Sequence, residues 1–309
     1  MNDLKHLLKS IAIVLSLTLN GVLQLSCNFS TSGSQEKSQL LITDHLKVTY
    51  DLLDPLEKHF LPYALTEISG LTYLKSGRLL CVEDERGKVY EYDLGKREVV
   101  KTEKFWDSGD YEGIEIVDSK AYVLESDGDI YSFDYLRNDA SKTKKFETRL
   151  TSENNTEGLA YDPTSNSLLI ACKAKGNIKG QDQKGKGIYS FELESKRFNE
   201  EAVFDIRIKD IINFIEDNRE ITLREKSLEF KPSGIAINPV DDLIYIISSA
   251  GKLMIVLSRE GKIKGTYPLD PKIFTQPEGI CFAPNGDLYI SSEGRGAKGY
   301  ILEFKASIK

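Results

Sequence analysis

A chain of 309 residues, 40% hydrophobic and 29% charged, carries ample material for a packed core, and this composition excludes a disordered or multi-spanning protein. The formal net charge of −7 has the wrong sign for gripping a phosphate backbone, so no nucleic-acid partner is expected.

The chain opens with Lys5 and Lys9, followed by the apolar run Ile11 to Leu25 and then Ser26-Cys27. Asn20, Gly21 and Gln24 interrupt the run, which falls short of the ~20 apolar residues that a membrane-crossing helix needs. Residues 1–26 therefore read as a signal peptide, whose removal takes away the net +1 of Asp3, Lys5 and Lys9 and leaves −8. Leu23-Gln24-Leu25-Ser26-Cys27 resembles a lipobox, in which the cysteine is acylated and becomes the new N-terminus, although Gln24 stands where an apolar residue is usual. A cut within Ser30 to Ser32 would instead release a secreted protein and leave Cys27 without a lipid role. Residues 27–44 are expected to be the lipid anchor and a tether, since Asn28 to Gln39 is rich in Ser, Gln and Gly.

The body, residues 45–309, repeats a short phrase five times: Ser69-Gly70-Leu71, Glu112-Gly113-Ile114, Glu157-Gly158-Leu159, Ser233-Gly234-Ile235 and Glu278-Gly279-Ile280. The glycines are 43, 45, 76 and 45 residues apart, and a period of ~40 to 45 matches one four-stranded propeller blade. After each phrase come a polar turn, an apolar strand and a third strand, as in Lys75-Ser76-Gly77, Leu79 to Val82 and Lys88 to Tyr92. The long interval holds two insertions: a Gly/Lys-rich loop at 173–186 and a charged segment at 209–229. In the second, Ile211, Ile212, Phe214 and Ile215 recur at helical spacing. The last unit has no room for a fourth strand, and His45 to Leu53 is predicted to supply it, closing the ring and removing its free edges. The expected fold is all-β, a five-bladed β-propeller closed by an N-terminal strand, with one inserted helical segment. Cys81, Cys172 and Cys281 lie in apolar strand-like runs without CxxC or Cys/His spacing, which favours buried thiols over a disulfide or metal site.

Strings such as ISGLTYLKSGRLLCVEDERGKVYEYDL and GDYEGIEIVDSKAYVLESDGDIYSF resemble the SdiA-regulated family, and the likeness runs from about Leu65 to Phe304. That resemblance implies a five-bladed propeller distantly similar to NHL-repeat proteins, facing the periplasm or the cell surface, with calcium at a site in the family. It implies no defined reaction.

Among the pre-glycine residues, Glu112, Glu157 and Glu278 are carboxylates on strands that line a propeller axis, so they are expected to meet at one mouth of the channel. Like charges so close need a compensating cation or proton uptake, and an oxygen-only set suits Ca²⁺. Glu67, Glu83 and Glu125 lie near the same turns and are candidates for further oxygens. The competing reading is that these glutamates cap hairpins or pair with neighbouring Lys and Arg. With three histidines, of which His6 falls in the leader, Ser/His or Cys/His catalysis is not expected. Two functions follow: an envelope-located, calcium-binding propeller acting as a binding or scaffolding module, and alternatively a calcium-dependent hydrolase, lactonase-like or phosphoesterase-like, with a ring glutamate as base. The expected partners are the membrane, through the anchor, and an envelope protein or anionic small molecule. Lys173, Lys175, Lys179, Lys184 and Lys186 would receive an anion if their loop is more than a solvated one.

Overall fold

The computed structural model describes residues 40–137, 139–219 and 228–309; the predicted leader, Cys27 and the tether to Gln39 lie outside the described residues. Ile42–Lys309 forms one compact unit. Two short strands come first, β1 (Val48–Thr49) and β2 (Glu57–Phe60). Blade 1 follows as β3 (Ile68–Lys75), β4 (Arg78–Glu83), β5 (Lys88–Asp93) and β6 (Glu98–Lys104). Blade 2 is β7 (Tyr111–Val117), β8 (Lys120–Glu125), β9 (Ile130–Asp134) and β10 (Asp139–Phe146). Blade 3 is β11 (Thr156–Asp162), β12 (Ser167–Cys172), β13 (Lys186–Glu192) and β14 (Arg197–Ile206). The helix α1 (Ile208–Asn218) precedes blade 4, which is β15 (Pro232–Ile237), β16 (Ile244–Ser248), β17 (Leu253–Leu257) and β18 (Ile263–Pro268). Blade 5 holds β19 (Pro277–Phe282), β20 (Leu288–Ser292) and β21 (Tyr300–Phe304), with β22 (Ser307–Ile308) beyond it. Each blade is one four-stranded antiparallel sheet, and the first strands pack side by side in a closed ring, β3 against β7 and so on round to β19 against β3. The five-bladed propeller is thus as expected.

Local chemistry explains the hairpins. The first turn of each blade carries a residue in the left-handed region, among them Asp118 (φ 54), Asn166 (φ 50) and Gly286 (φ 88), residue types that tolerate it best. The apolar face of each inner strand packs on the neighbouring blade. Between blades 1 and 2, for example, Phe105 stacks on Phe133 at 5.5 Å and meets Tyr111 edge-on at 4.9 Å. Cys81, Cys172 and Cys281 are buried free thiols, and burial pushes their pKa values up. The helix buries Ile211, Ile212 and Ile215 and contacts β18, the outer strand of blade 4, so it sits outside the ring of inner strands; residues 220–227 of the predicted helical segment lie outside the described residues.

The closing strand is not His45 to Leu53. The fourth strand of blade 5 is β2, which pairs with β21 in the register Glu57↔Glu303, Lys58↔Leu302, His59↔Ile301, Phe60↔Tyr300. Of the predicted segment only Val48 and Thr49 form a strand, and they pair with β22 in a separate two-stranded sheet. Val48, Tyr50 and Leu52 instead bury their side chains against blades 4 and 5. The Tyr50 hydroxyl donates to the Gly286 carbonyl (2.7 Å) and accepts from Asn238 Nδ2 (2.7 Å), locking this segment onto the propeller.

Candidate functional site

The repeated phrase has a geometric cause. In blades 1 to 4 the ladder between the first two strands slips by one residue at the pre-glycine position: Ile68 faces Glu83 but Gly70 faces Val82, and the same break falls at Glu112, Glu157 and Ser233. In blade 5 the irregularity spans Glu278 and Gly279. Each pre-glycine residue is therefore a bulge residue, and a bulge re-aims its side chain. The glycine that follows lies where neighbouring inner strands crowd together. A Cβ on Gly234 would stand 2.5 Å from the Glu278 carbonyl oxygen, and one on Gly113 would stand 2.6 Å from Leu159 Cβ.

The bulge residues divide by chemistry. Ser69 donates its hydroxyl to the Tyr111 carbonyl (2.6 Å) and Ser233 to the Pro277 carbonyl (2.8 Å), each stapling its blade to the next. Glu112, Glu157 and Glu278 line an axial cavity of about 10 Å³. Glu157 and Glu278 are each 5% exposed, and Glu112 is partly buried. Glu157 Oε1 accepts from Asn155 Nδ2 (3.0 Å) and is in contact with the Lys173 ammonium, whereas Glu157 Oε2 is buried with no hydrogen-bond partner.

Around this ring stands a second tier that sequence reasoning did not assemble, since it passed over Asp84 and Glu293 and assigned Lys173 to the basic loop, whereas Lys173 sits on Glu157. Asp84, Lys173 and Glu293 each sit one residue beyond the second strand of their blades, positions equivalent by the strand registers. Glu112 is raised to about 9, first by burial and then by Glu157, Asp110 and Glu278. Burial, with Glu157 next, raises Glu278 to about 8. Glu293 is raised to about 7 by burial, Asp84 and Glu67, and Asp84 to about 6 by burial, Glu67 and Glu83. Burial also holds Glu157 above the usual carboxylate range despite Lys173. Burial works against the Lys173 ammonium, yet Glu157, Glu278 and Glu112 together keep its pKa above that of an ordinary lysine. The mouth thus gathers more carboxylate than its own cation compensates.

Glu67 is exposed at this mouth and acts through its charge on Asp84 and Glu293. Glu125 belongs to a different group. With Asp127 and Asp129 it places carboxylate oxygens within 4.8 Å of one another, a triad arranged as a metal site would be. That group already has one counter-charge and one neutral donor: Lys145 Nζ lies 2.8 Å from Asp129 and 3.8 Å from Glu125, and the Tyr131 hydroxyl donates to Glu125 (2.7 Å). Among the described residues the ring glutamates do not bring three oxygens that close.

The family model for SdiA-regulated proteins matches residues 54–295. No curated protein matches the chain by sequence. Among solved structures the chain is similar to a glutaminyl cyclase from Myxococcus xanthus, with 11% identity over 83% of this chain and 97% of that one and a TM-score of 0.53. It is also similar to a structural-genomics protein of unknown function from Bacteroides thetaiotaomicron, with 10% identity over 84% of this chain and 76% of that one and a TM-score of 0.50. At such identities the likeness shows the fold alone. The match over most of the chain, on five bladed sheets whose repeat phrase sits at the axial bulge, makes this protein a member of the SdiA-regulated family.

Proposed function

We propose that the protein is a lipid-anchored binding or scaffolding propeller of the cell envelope that holds a calcium ion in its acidic axial mouth. The observation that carries the ion is the bulged ring: Glu112, Glu157 and Glu278 aim at one axial cavity, and Glu157 Oε2 is buried there without a partner. A buried orphan carboxylate oxygen is costly, and a hard cation relieves it while neutralising the neighbouring carboxylates. Glu112, Glu157 and Glu278 would hold the ion, with Glu293 and Glu67 nearby, and Lys173 would have to yield its place on Glu157. The bound cation would tie three blades together at the axis. The cavity of about 10 Å³ has room for about one water, which suits an ion or water and not a lactone or phosphoester, so a binding role is favoured over the hydrolase alternative. The envelope location rests on the basic start, the apolar run and Ser26-Cys27.

A second reading places the cation on Glu125, Asp127 and Asp129, whose oxygens are already close. We favour the axis because Lys145 and Tyr131 already partner Asp129 and Glu125 of the triad, whereas Glu157 Oε2 at the axis has no partner. Calcium titration calorimetry separates the two. Glu112→Gln or Glu278→Gln should weaken binding, and Asp127→Asn with Asp129→Asn should not; the reverse pattern assigns the ion to the triad, and no heat in the wild type removes calcium from the account.

A further inference from the structure

The 173–186 insertion does more than span a gap. Its two ends and the start of α1 enclose a cavity of about 440 Å³, lined by Lys175, Lys184, Lys186, Arg207 and Lys209 and by no carboxylate. The loop is held in shape: Asn154 Nδ2 donates to the carbonyls of Lys175 and Asn177 (3.0 Å each), and the Tyr189 hydroxyl donates to that of Gly176 (2.8 Å). Two of the five cations are spoken for at the rim. Lys175 pairs with Glu153 at 2.8 Å in solvent, and Arg207 pairs with Asp205 at 2.8 Å. Both oxygens of Asp205 already have partners, Oδ1 accepting from the Gly185 amide (2.7 Å) and Oδ2 from Arg207, and Asp205 does not line the cavity. Beside Lys186, Glu229 is paired with Lys231 at 2.6 Å. Asp210, in the first turn of α1, is exposed and does not line the cavity.

Three positive charges remain over the cavity. Lys184 and Lys209 are exposed and make no ion pair among the described residues. Lys186 is half-buried and donates to the carbonyls of Lys173 (2.7 Å) and Ala174 (2.5 Å), which fixes its ammonium and leaves one N–H for a guest. Burial, with Lys231 nearby, holds the Lys186 pKa below that of an ordinary lysine, as for a cation short of an anion. No side chain caps the N-terminus of α1. The amides of Ile208 and Lys209 open the helix and add positive potential to the same wall, while the Asp210 amide already donates to the Arg207 carbonyl (3.0 Å).

We propose that this pocket is an anion site that takes a phosphate group, borne by a soluble phosphate compound or by a lipid headgroup, between Lys184, Lys186 and Lys209. Lysines suit a multiply charged oxyanion because each delivers a compact point charge without demanding a bidentate partner. A volume of about 440 Å³ falls within the range of small-molecule sites.

Two arms test the proposal on metal-free protein, independently of any calcium site. Inorganic pyrophosphate is titrated calorimetrically at low and moderate salt, and flotation is measured with vesicles of phosphatidylglycerol in phosphatidylcholine against phosphatidylcholine alone. Saturable, salt-sensitive binding in either arm is expected, weakened about tenfold for each of Lys184→Gln and Lys209→Gln, the loss of one charge-assisted hydrogen bond apiece. Both positions are exposed, so unchanged melting of the variants verifies the fold. Binding of pyrophosphate alone assigns a soluble ligand, and binding of anionic vesicles alone assigns a headgroup. No binding in either arm, or binding that both variants retain in full, overturns the proposal.

Discussion

Gly234→Ala tests the geometric reason for the repeat. The position has no positive φ, so alanine meets no backbone penalty there and, in open space, would stabilise by about 0.4–1 kcal/mol through the unfolded chain. Space is what is missing. The added methyl would lie 2.5 Å from the Glu278 carbonyl oxygen and 3.2 Å from Ile247 Cγ1 and Cδ1. The oxygen is backbone held in β19, so the strands themselves must part. Overpacking of this kind costs about 1–3 kcal/mol, and at about 2–4 °C per kcal/mol for a domain of this size a 2 kcal/mol loss lowers Tm by roughly 4–8 °C. Gly95→Ala is the control, because its nearest contact is Asp93 Oδ1 at 3.5 Å and its φ is also ordinary. Thermal unfolding followed by circular dichroism reads both. If Gly234→Ala melts like the wild type, or Gly95→Ala falls as far, crowding at the axis is not what selects glycine.

Three other outcomes are expected. Glu112, Glu278, Glu293 and Asp84 are all raised in the folded state, so the fold binds their protons more tightly than the unfolded chain does. Their contribution is intact below about pH 4 and is lost as pH rises through about 6 to 9, so Tm in chelator should decline across that window, and a Tm that climbs over it would contradict the assignment. Hydrogen exchange should find Tyr300–Phe304 well protected by β2, and a chain begun at Leu61 should lose protection there first and aggregate through the freed edge; unchanged protection would show that β2 does not close the ring. Cys27→Ala should abolish fatty-acid labelling and release the protein from membranes, and a wild type that takes up no label would remove the anchor.

Blade number, blade boundaries and the identity of the axial ring were readable from five glycines, because each marks both the bulge and the crowded approach of one inner strand to the next. The closing strand was not. Val48, Tyr50 and Leu52 alternate as a strand would, yet they serve as a buried wedge beneath blades 4 and 5, whereas Glu57-Lys58-His59-Phe60 hides only His59 and reads as a loop. An outer edge strand needs few apolar residues, so hydrophobic pattern underreports it. The second tier was not assembled for a related reason. Asp84, Lys173 and Glu293 lie just past strands that were read for their apolar content, although aligning the ends of β4, β12 and β20 would have put the three in one row. Glu125, Asp127 and Asp129 alternate along a turn, a pattern that reads as hairpin chemistry until the fold brings the oxygens within 4.8 Å.

The central claim, a cation held by the axial glutamates, is tested most directly by the melting temperature in calcium against that in chelator. Binding to the folded form alone stabilises by RT ln(1 + [L]/Kd), about 2.7 kcal/mol at a hundredfold excess over Kd, or roughly 5–11 °C at the scaling above. Calcium should raise Tm by an amount of that order in the wild type, and Glu112→Gln, Glu157→Gln or Glu278→Gln should each shrink the rise, while Asp127→Asn should preserve it. A Tm indifferent to calcium and chelator, or a rise lost only in Asp127→Asn, would contradict the account.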